Sequence, residues 1–293
     1  MIVALDVGGT SMKGAVLSPE LDRVASVRRP TPQGDAAVDA VLETVAELVE
    51  QAGSARAIGL AVPGIVDDER GVAVWSENIG WHDVPFRDLI AERTGLPVAV
   101  GHDVRAGGTA EIRLGAAQGA RNSLIIPIGT GIAAAMVIDG HLCVGNGYAG
   151  EIGHMSVGVD EPCVCGGTGC LEAVASAAAV GRRYARRTGR EAAADAVVAL
   201  VSEGDADAAA VWAETVGFLG TALATATALV APEVIVIGGG LSRAGDLLLG
   251  PLADDLAGRL TFHRRPRLTI ATFGDEAGCV GAGLWARDLL ERR

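Results

Sequence analysis

The sequence predicts an α/β protein made of two similar halves, and three observations carry that prediction. Short apolar runs that suit buried strands alternate along the chain with stretches of helical period. One layout, a strand, a Gly/Thr-rich turn and a second strand, occurs near Asp6 and again near Gly129. Such a repeat points to a duplicated architecture with a nucleotide between the halves. No linker or low-complexity run is visible, so the halves are expected to pack closely.

Composition sets outer bounds on function. The 293 residues give ample core for one large or two ordinary domains. Apolar residues make up 49% and charged residues 20%, which rules out a disordered chain. A net charge of -12 argues against nucleic-acid partners and against docking on anionic membranes. Any substrate phosphates must then be held by local backbone amides and metal. The chain enters a strand directly, with no basic n-region and no cleavage site, so no signal peptide is expected. Thr215 to Pro232 is uncharged for 18 residues, just enough to span a bilayer. It is rich in Thr, Ala and Gly and has no basic flank, so a buried helix of a cytoplasmic protein is expected.

Ile2 to Leu5 is an apolar strand ending in Asp6, and Val7-Gly8-Gly9-Thr10-Ser11-Met12-Lys13 leads to a second strand, Gly14 to Leu17. A Gly-rich turn joining strand to helix would indicate a Rossmann or P-loop element. Here it joins two strands, which makes a hairpin. Gly8 and Gly9 let backbone amides approach phosphate oxygens, Thr10 adds a donor, and Asp6 is suited to Mg2+ through water. Asp35 to Gln51 carries Val38, Val41, Leu42, Val45 and Val49 at helical spacing. Ile58 to Val62 is a strand that stops at Pro63-Gly64. Trp75 to Trp81 is a polar-aromatic loop whose tryptophans fit either a hydrophobic plug or a sugar pocket beside Asn78. Phe86 to Arg93 is a helix.

Pro97 to Val100 is a strand, and Gly101-His102-Asp103 follows at its carboxyl end, opening a helix. That is where α/β proteins place active groups, although Asp103 is also a natural helix cap. Ser123 to Pro127 is a strand, and Ile128-Gly129-Thr130-Gly131-Ile132 turns into its partner, Ala133 to Ile138. Glu172 to Arg187 is an Ala-rich helix stopped by Gly189, and further helices run to Val230. Val234 to Ile237 is a strand entering Gly238-Gly239-Gly240, where a flat adenine or ribose can lie on backbone. Arg267 to Ala271 is the last strand, and Glu276 to Arg292 is the closing helix.

One stretch stands apart from this alternation. His154 to Glu172 holds three of the five cysteines, Cys163, Cys165 and Cys170, downstream of His154. Three thiolates and an imidazole are a tetrahedral zinc set. The alternative is a disulfide with a spare thiol, but Cys163 and Cys165 are too close to pair easily and nothing points to secretion. A structural Zn2+ is expected. Such an ion would orient the second ring nitrogen of His154, and with Glu151 and Glu172 nearby the cluster is suited to sugar hydroxyls.

Taken together, these residues resemble the ROK family of sugar kinases and repressors, with the actin-like (ribonuclease H-like) ATPase fold. The first phosphate motif is similar to Asp6-Val-Gly-Gly-Thr-Ser-Met-Lys13, the second to Gly129-Thr-Gly131, and the adenosine motif to Gly238-Gly239-Gly240. The most specific match is Gly150-Glu-Ile-Gly-His154 followed by Cys163-Val-Cys165-Gly-Gly-Thr-Gly-Cys170-Leu-Glu172. The resemblance implies a smaller domain at 1–117, completed by a helix at 277–293, and a larger domain at 118–276 with the zinc loop. It implies Asp6, Gly8, Gly9, Thr10, Lys13, Gly129, Thr130, Gly131 and Gly238 to Gly240 as nucleotide contacts. Gly64, Asn78, His102, Asp103, Glu151, His154 and Glu172 become sugar contacts, with Asp103 as general base. His154, Cys163, Cys165 and Cys170 become the zinc ligands.

The activity so implied is ATP- and Mg2+-dependent phosphorylation of the 6-hydroxyl of glucose by a homodimer or homotetramer. N-acetylmannosamine, N-acetylglucosamine and mannose are the alternative substrates. A sugar-responsive repressor would carry an N-terminal winged helix, for which a hairpin beginning at Ile2 leaves no room. An idle sugar sensor fits poorly with Asp6, Asp103 and Gly129 to Gly131 all in place. The chain departs from the family pattern at His102, where Asn is usual, and at Ala133, where Gly is usual. The first departure bears on the sugar more than on the reaction.

Overall fold

The computed structural model describes residues 1–291, and among them the strands form three sheets. The chain divides into two units. One contains Met1–Leu114, Val144–Ala149 and the segment from Asp275 onward; the other contains Gly115–Cys143 and Gly150–Gly274. The chain thus re-enters the first unit twice, briefly at 144–149 and again from Asp275.

The first unit opens with β1 (Ile2–Val7), β2 (Ser11–Leu17) and β3 (Arg23–Pro30), followed by α1 (Asp35–Ala52) and β4 (Ile58–Val62). A small sheet of β5 (Ile65–Asp67), β6 (Val72–Ser76) and β7 (Trp81–Val84) comes next, then α2 (Phe86–Thr94), β8 (Val98–His102) and α3 (Asp103–Leu114). Its main sheet runs β3-β2-β1-β4-β8; β1 pairs antiparallel with β2 and parallel with β4, which pairs parallel with β8. The strands β1 and β4 are apolar almost throughout because a parallel centre is covered on both faces. On one side α1 buries Ala37, Val41, Val45 and Leu48, at the spacing of one helical stripe.

The second unit begins with β9 (Ser123–Pro127), β10 (Ala135–Ile138) and β11 (His141–Leu142), then α4 (Leu171–Ala175), α5 (Ala177–Thr188), α6 (Ala194–Glu203) and α7 (Ala206–Val230). It finishes with β12 (Val234–Gly238), α8 (Asp246–Arg259) and β13 (Arg267–Ile270). The order β11-β10-β9-β12-β13 repeats the first sheet, antiparallel on one side of β9 and parallel on the other. The duplication expected from the two glycine turns is therefore present in strand order. The core joins Leu124, Ile126, Ile235 and Ile237 to Trp212, Leu219 and Leu223 of α7. Each such fully buried side chain contributes roughly 1.5–3 kcal/mol. α7 is the one described helix long and apolar enough to cross a membrane, and half of its most apolar window is buried in the protein.

The chain then returns to the first unit as α9 (Ala277–Glu291), which packs on β1, β4 and α3. Small residues make this close approach possible. A Cβ on Gly281 would lie 1.8 Å from the Ala106 carbonyl oxygen.

Four expectations change. The helix expected from Glu172 to Arg187 is two helices, because Ser176 adopts an extended conformation and caps α5 by accepting from the Ala179 amide at 3.1 Å. The partner strand expected from Ala133 starts at Ala135, the residues before it being tied into the turn by the Ile128–Ile132 bridge. The Trp75 to Trp81 loop is bounded by β6 and β7, with Trp81 buried edge-on against Phe86 and Trp75 exposed. The strand β3 is the fourth change. Its exposed residues alternate with half-buried ones and gave no continuous apolar run. Arg292, expected to end the last helix, lies outside the described residues.

Candidate functional site

In the first unit the candidate residues gather at the carboxyl ends of β1, β4 and β8. Asp6 is near the end of β1, and the turn after it closes through the Gly8 amide donating to the Ser11 carbonyl at 3.0 Å. Thr31 braces this hairpin, its hydroxyl donating to the Gly8 carbonyl at 2.6 Å and its amide to Thr10 at 3.0 Å. Sequence reading missed Thr31, which directly follows the unexpected strand β3. Lys13 donates from Nζ to the Asp275 carbonyl at 3.0 Å. Asp6 is pushed up to about 7, first by burial and then by the charge of Asp103, with Lys13 pulling the other way. Asp6 pairs with Ala61 and Ala61 with Gly101, so Asp6 and Asp103 stand at the same end of one sheet with a single strand between them.

Gly64 follows β4 at φ 94°, and a Cβ there would stand 2.1 Å from the Trp75 carbonyl oxygen, so only glycine fits. Asn78 is exposed in the turn between β6 and β7, close to Gly9. Asp103 begins α3, accepts from the Val104 amide at 2.7 Å and keeps about a quarter of its side chain exposed. His102 is buried, with Nε2 3.4 Å from Asp103 Oδ1.

In the second unit the Gly129 to Gly131 turn closes through the Gly129 amide donating to the Gly131 carbonyl at 3.0 Å. Glu172 Oε2 accepts from the Ile132 amide at 2.8 Å, and the Ala177 amide donates to the Gly129 carbonyl at 2.9 Å. Thus α4 and the start of α5 hold the turn, and Glu172 has a backbone partner that the sequence did not disclose. The Gly238 to Gly240 loop is pinned to the same turn, the Ile128 amide donating to the Gly238 carbonyl at 2.9 Å and the Leu241 amide to the Ile128 carbonyl at 3.0 Å. Gly240 faces open space.

Glu151 precedes a short 3-10 turn over Ile152–His154, and His154 ends it. A Cβ on Gly150 would be 1.9 Å from the Ala134 carbonyl oxygen, and one on Gly153 2.0 Å from that of Ile132. Both glycines are required for this turn to press onto the backbone beyond Gly131. The loop that follows is folded back by the Val157 amide donating to Gly169 and the Leu171 amide to Met155, at 2.8 and 2.9 Å. This brings one ligand atom each of His154, Cys163, Cys165 and Cys170 within 4.8 Å of one another. Cys163 Sγ is 3.8 Å from His154 Nδ1, and the Cys165 and Cys170 sulfurs are 3.7 Å apart. Tetrahedral ligands at the zinc–sulfur bond length stand about 3.8 Å apart. The Gly167 backbone amide holds Cys165 below its ordinary value, whereas burial pushes Cys170 up to about 12.

The sequence profile of the ROK family matches residues 2–289. The glucokinase of Halalkalibacterium halodurans is 35% identical to this chain, over 96% of the chain and 93% of that protein. Two solved structures cover it almost completely. A ROK hexokinase from Thermus thermophilus has 33% identity and a TM-score of 0.86, over 100% of this chain and 99% of that one. A ROK family glucokinase from Streptomyces griseus, in complex with glucose and AMPPNP, has 29% identity and a TM-score of 0.86, over 98% and 99%. Since the matched span takes in both five-stranded sheets and every candidate residue described above, the chain belongs to the ROK family and has its actin-like α/β fold.

Proposed function

We propose that this protein is a cytoplasmic ATP-dependent glucose kinase that phosphorylates the 6-hydroxyl group. The observation that carries this reading is the pairing of Asp103 with the β1–β2 turn. A partly exposed carboxylate just past β8 stands at the same carboxyl end of the sheet as Asp6 and the turn that follows β1, with only β4 between. A base for a hydroxyl thus sits beside a turn of backbone amides suited to phosphate. The glucokinase and hexokinase relatives agree with it.

In this reading Asp103 takes the proton of the 6-hydroxyl as that oxygen attacks the terminal phosphoryl group of ATP in line. ADP leaves with the electron pair of the broken bond. The proton acceptor supplies about 10²–10⁴-fold, and orientation with charge neutralisation supplies more. Gly8, Gly9, Thr10 and Lys13 of the first unit and Gly129 to Gly131 of the second contact phosphates, while Gly238 to Gly240 take the adenosine. Asn78, Gly64 and His102 in the first unit and Glu151, His154 and Glu172 in the second hold sugar hydroxyls. Mg2+ near Asp6 would neutralise phosphate charge during transfer.

The four-ligand cluster fits a structural Zn2+ in donor type and spacing, with all four positions filled by protein. His154 Nδ1 is 3.8 Å from the Cys163 sulfur, which leaves Nε2 for a hydroxyl.

A coupled assay of ADP release tests the reading with glucose, mannose, N-acetylglucosamine and N-acetylmannosamine. The highest kcat/KM is expected for glucose, and in Asp103→Asn kcat falls about 10²–10⁴-fold with little change in sugar affinity. No sugar-dependent ADP release from any of the four overturns the kinase. A variant retaining most of its kcat reduces Asp103 to a helix cap.

A further inference from the structure

Two residues past Asp103, Arg105 is almost completely buried, at 1% exposure. A guanidinium there is costly. It stands in the first turn of α3, where the helix dipole disfavours a cation. Its Nε has no hydrogen-bond partner, so an apolar side chain of similar volume would be buried at lower cost. Stability alone does not account for this residue.

The guanidinium joins two elements that each carry part of the proposed site. Its Nη2 donates to Asp68 Oδ1 at 2.7 Å, and Asp68 lies just past the end of β5. The same turn is tied to β8, because Arg87 donates from Nη2 to the Asp68 carbonyl at 2.6 Å and from Nε to the Val98 carbonyl at 3.2 Å. β8 ends at His102, next to Asp103. The β5–β7 sheet is entered at Gly64 and carries Asn78 in its second turn. The turn at Asp68 is therefore held to the beginning of β8 and to the first turn of α3, on either side of Asp103 in the chain.

We propose that Arg105 and Asp68 form a positioning pair that sets Asp103 relative to the sugar-contacting sheet of the first unit. This rests on the kinase reading above. Neither residue touches the reacting atoms. Their effect is on the angle and distance at which the carboxylate meets the hydroxyl, where a displacement of about 1 Å costs on the order of 100-fold. With the base displaced, water competes better for the phosphoryl group.

The test compares Arg105→Met, Asp68→Asn and the double variant with wild type, measuring glucose 6-phosphate and ADP separately. We expect kcat to fall about 10- to 100-fold in each single variant. The KM for ATP stays unchanged, and more than one ADP is released per sugar phosphate. The double variant is expected to be no worse than the more impaired single one, because both changes break one interaction. Arg105→Lys, which keeps the charge, should recover part of the coupling. Should Arg105→Met fail to fold, Asp68→Asn carries the test, since Asp68 is partly exposed and the change preserves its shape. A fall in kcat that only tracks the folded fraction, with ADP and sugar phosphate still equal, overturns the proposal; so does wild-type kcat in both single variants. If wild-type protein phosphorylates none of the sugars, the kinase reading fails instead. Hydrogen exchange then judges the pair. Faster exchange in Asp68→Asn at both the Ser76–Trp81 turn and the start of α3 upholds it, and a change confined to the turn at Asp68 overturns it.

Discussion

Asp6 is the residue whose surroundings make the sharpest statement about pH. Its native value of about 7, raised by burial and by Asp103, lies well above the 3.8 of an unperturbed aspartate. The native protein thus holds a proton that the unfolded chain releases. Stability from this group is complete below about pH 3.8 and is lost as pH rises through about 7. We expect the Tm of nucleotide-free protein to decline across that window more steeply in wild type than in Asp6→Asn, and the two curves to run parallel above about pH 8. Parallel curves throughout would mean that Asp6 is already ionised in the native state. His102 leads to a prediction about choice of substrate. An amide presents donor and acceptor in one plane, while imidazole presents them on opposite edges. With His102 buried beside Asp103, His102→Asn is expected to change the ratio of kcat/KM among glucose, mannose and N-acetylglucosamine. Constant ratios would leave His102 a packing role. Asp6, Asp103 and Glu172 could be picked out from the chain because each lies in a short motif. Thr31 and Asp68 could not. Their partners are 23 and 37 residues away, and nothing local announces such contacts.

On the zinc reading proposed above, the loop from His154 to Cys170 is specified by its four ligand residues instead of by propensity. It has little regular secondary structure, and its glycines are excused by the need to turn three sulfurs inward. Its outer end also leads straight into α4, whose Glu172 grips the Gly131–Ile132 backbone. Cys165→Ser is therefore expected to lower zinc from about one per chain to well below that, and to raise the KM for sugar by about 10-fold or more. Metal analysis and steady-state kinetics on one preparation check both; full zinc content in the variant would remove Cys165 from the ligand set. The spacing of His and Cys made this loop legible in advance. The elements just beyond it were not, since an Ala-rich run gives no sign that Ser176 will leave the helix and cap the next one. The small sheet β5–β7 was hidden for a different reason, its strands being three to five residues long and too brief to show a period.

At the scale of the whole molecule the duplicated sheet order was foreshadowed by two strand–turn–strand segments, because a Gly/Thr-rich turn between two apolar runs is visible in the sequence itself. What the sequence concealed was how far apart in the chain the partners of one unit lie. The core around α9 joins Ile2, Ala4, Ala57 and Ala106 to Cys279, Ala282 and Ala286. Its tight contacts, with Gly281 against the Ala106 carbonyl and Gly278 against Asp6, leave no substitute for that helix. This has a consequence for synthesis. Every segment of the second unit is synthesised before α9 is, so the core of that unit never has to wait for α9. The first unit, begun earliest, must wait with an apolar sheet face uncovered until α9 is made. A nascent chain stalled anywhere before Ala277 is thus catalytically silent, and it is also the form that chaperones and proteases have most reason to recognise.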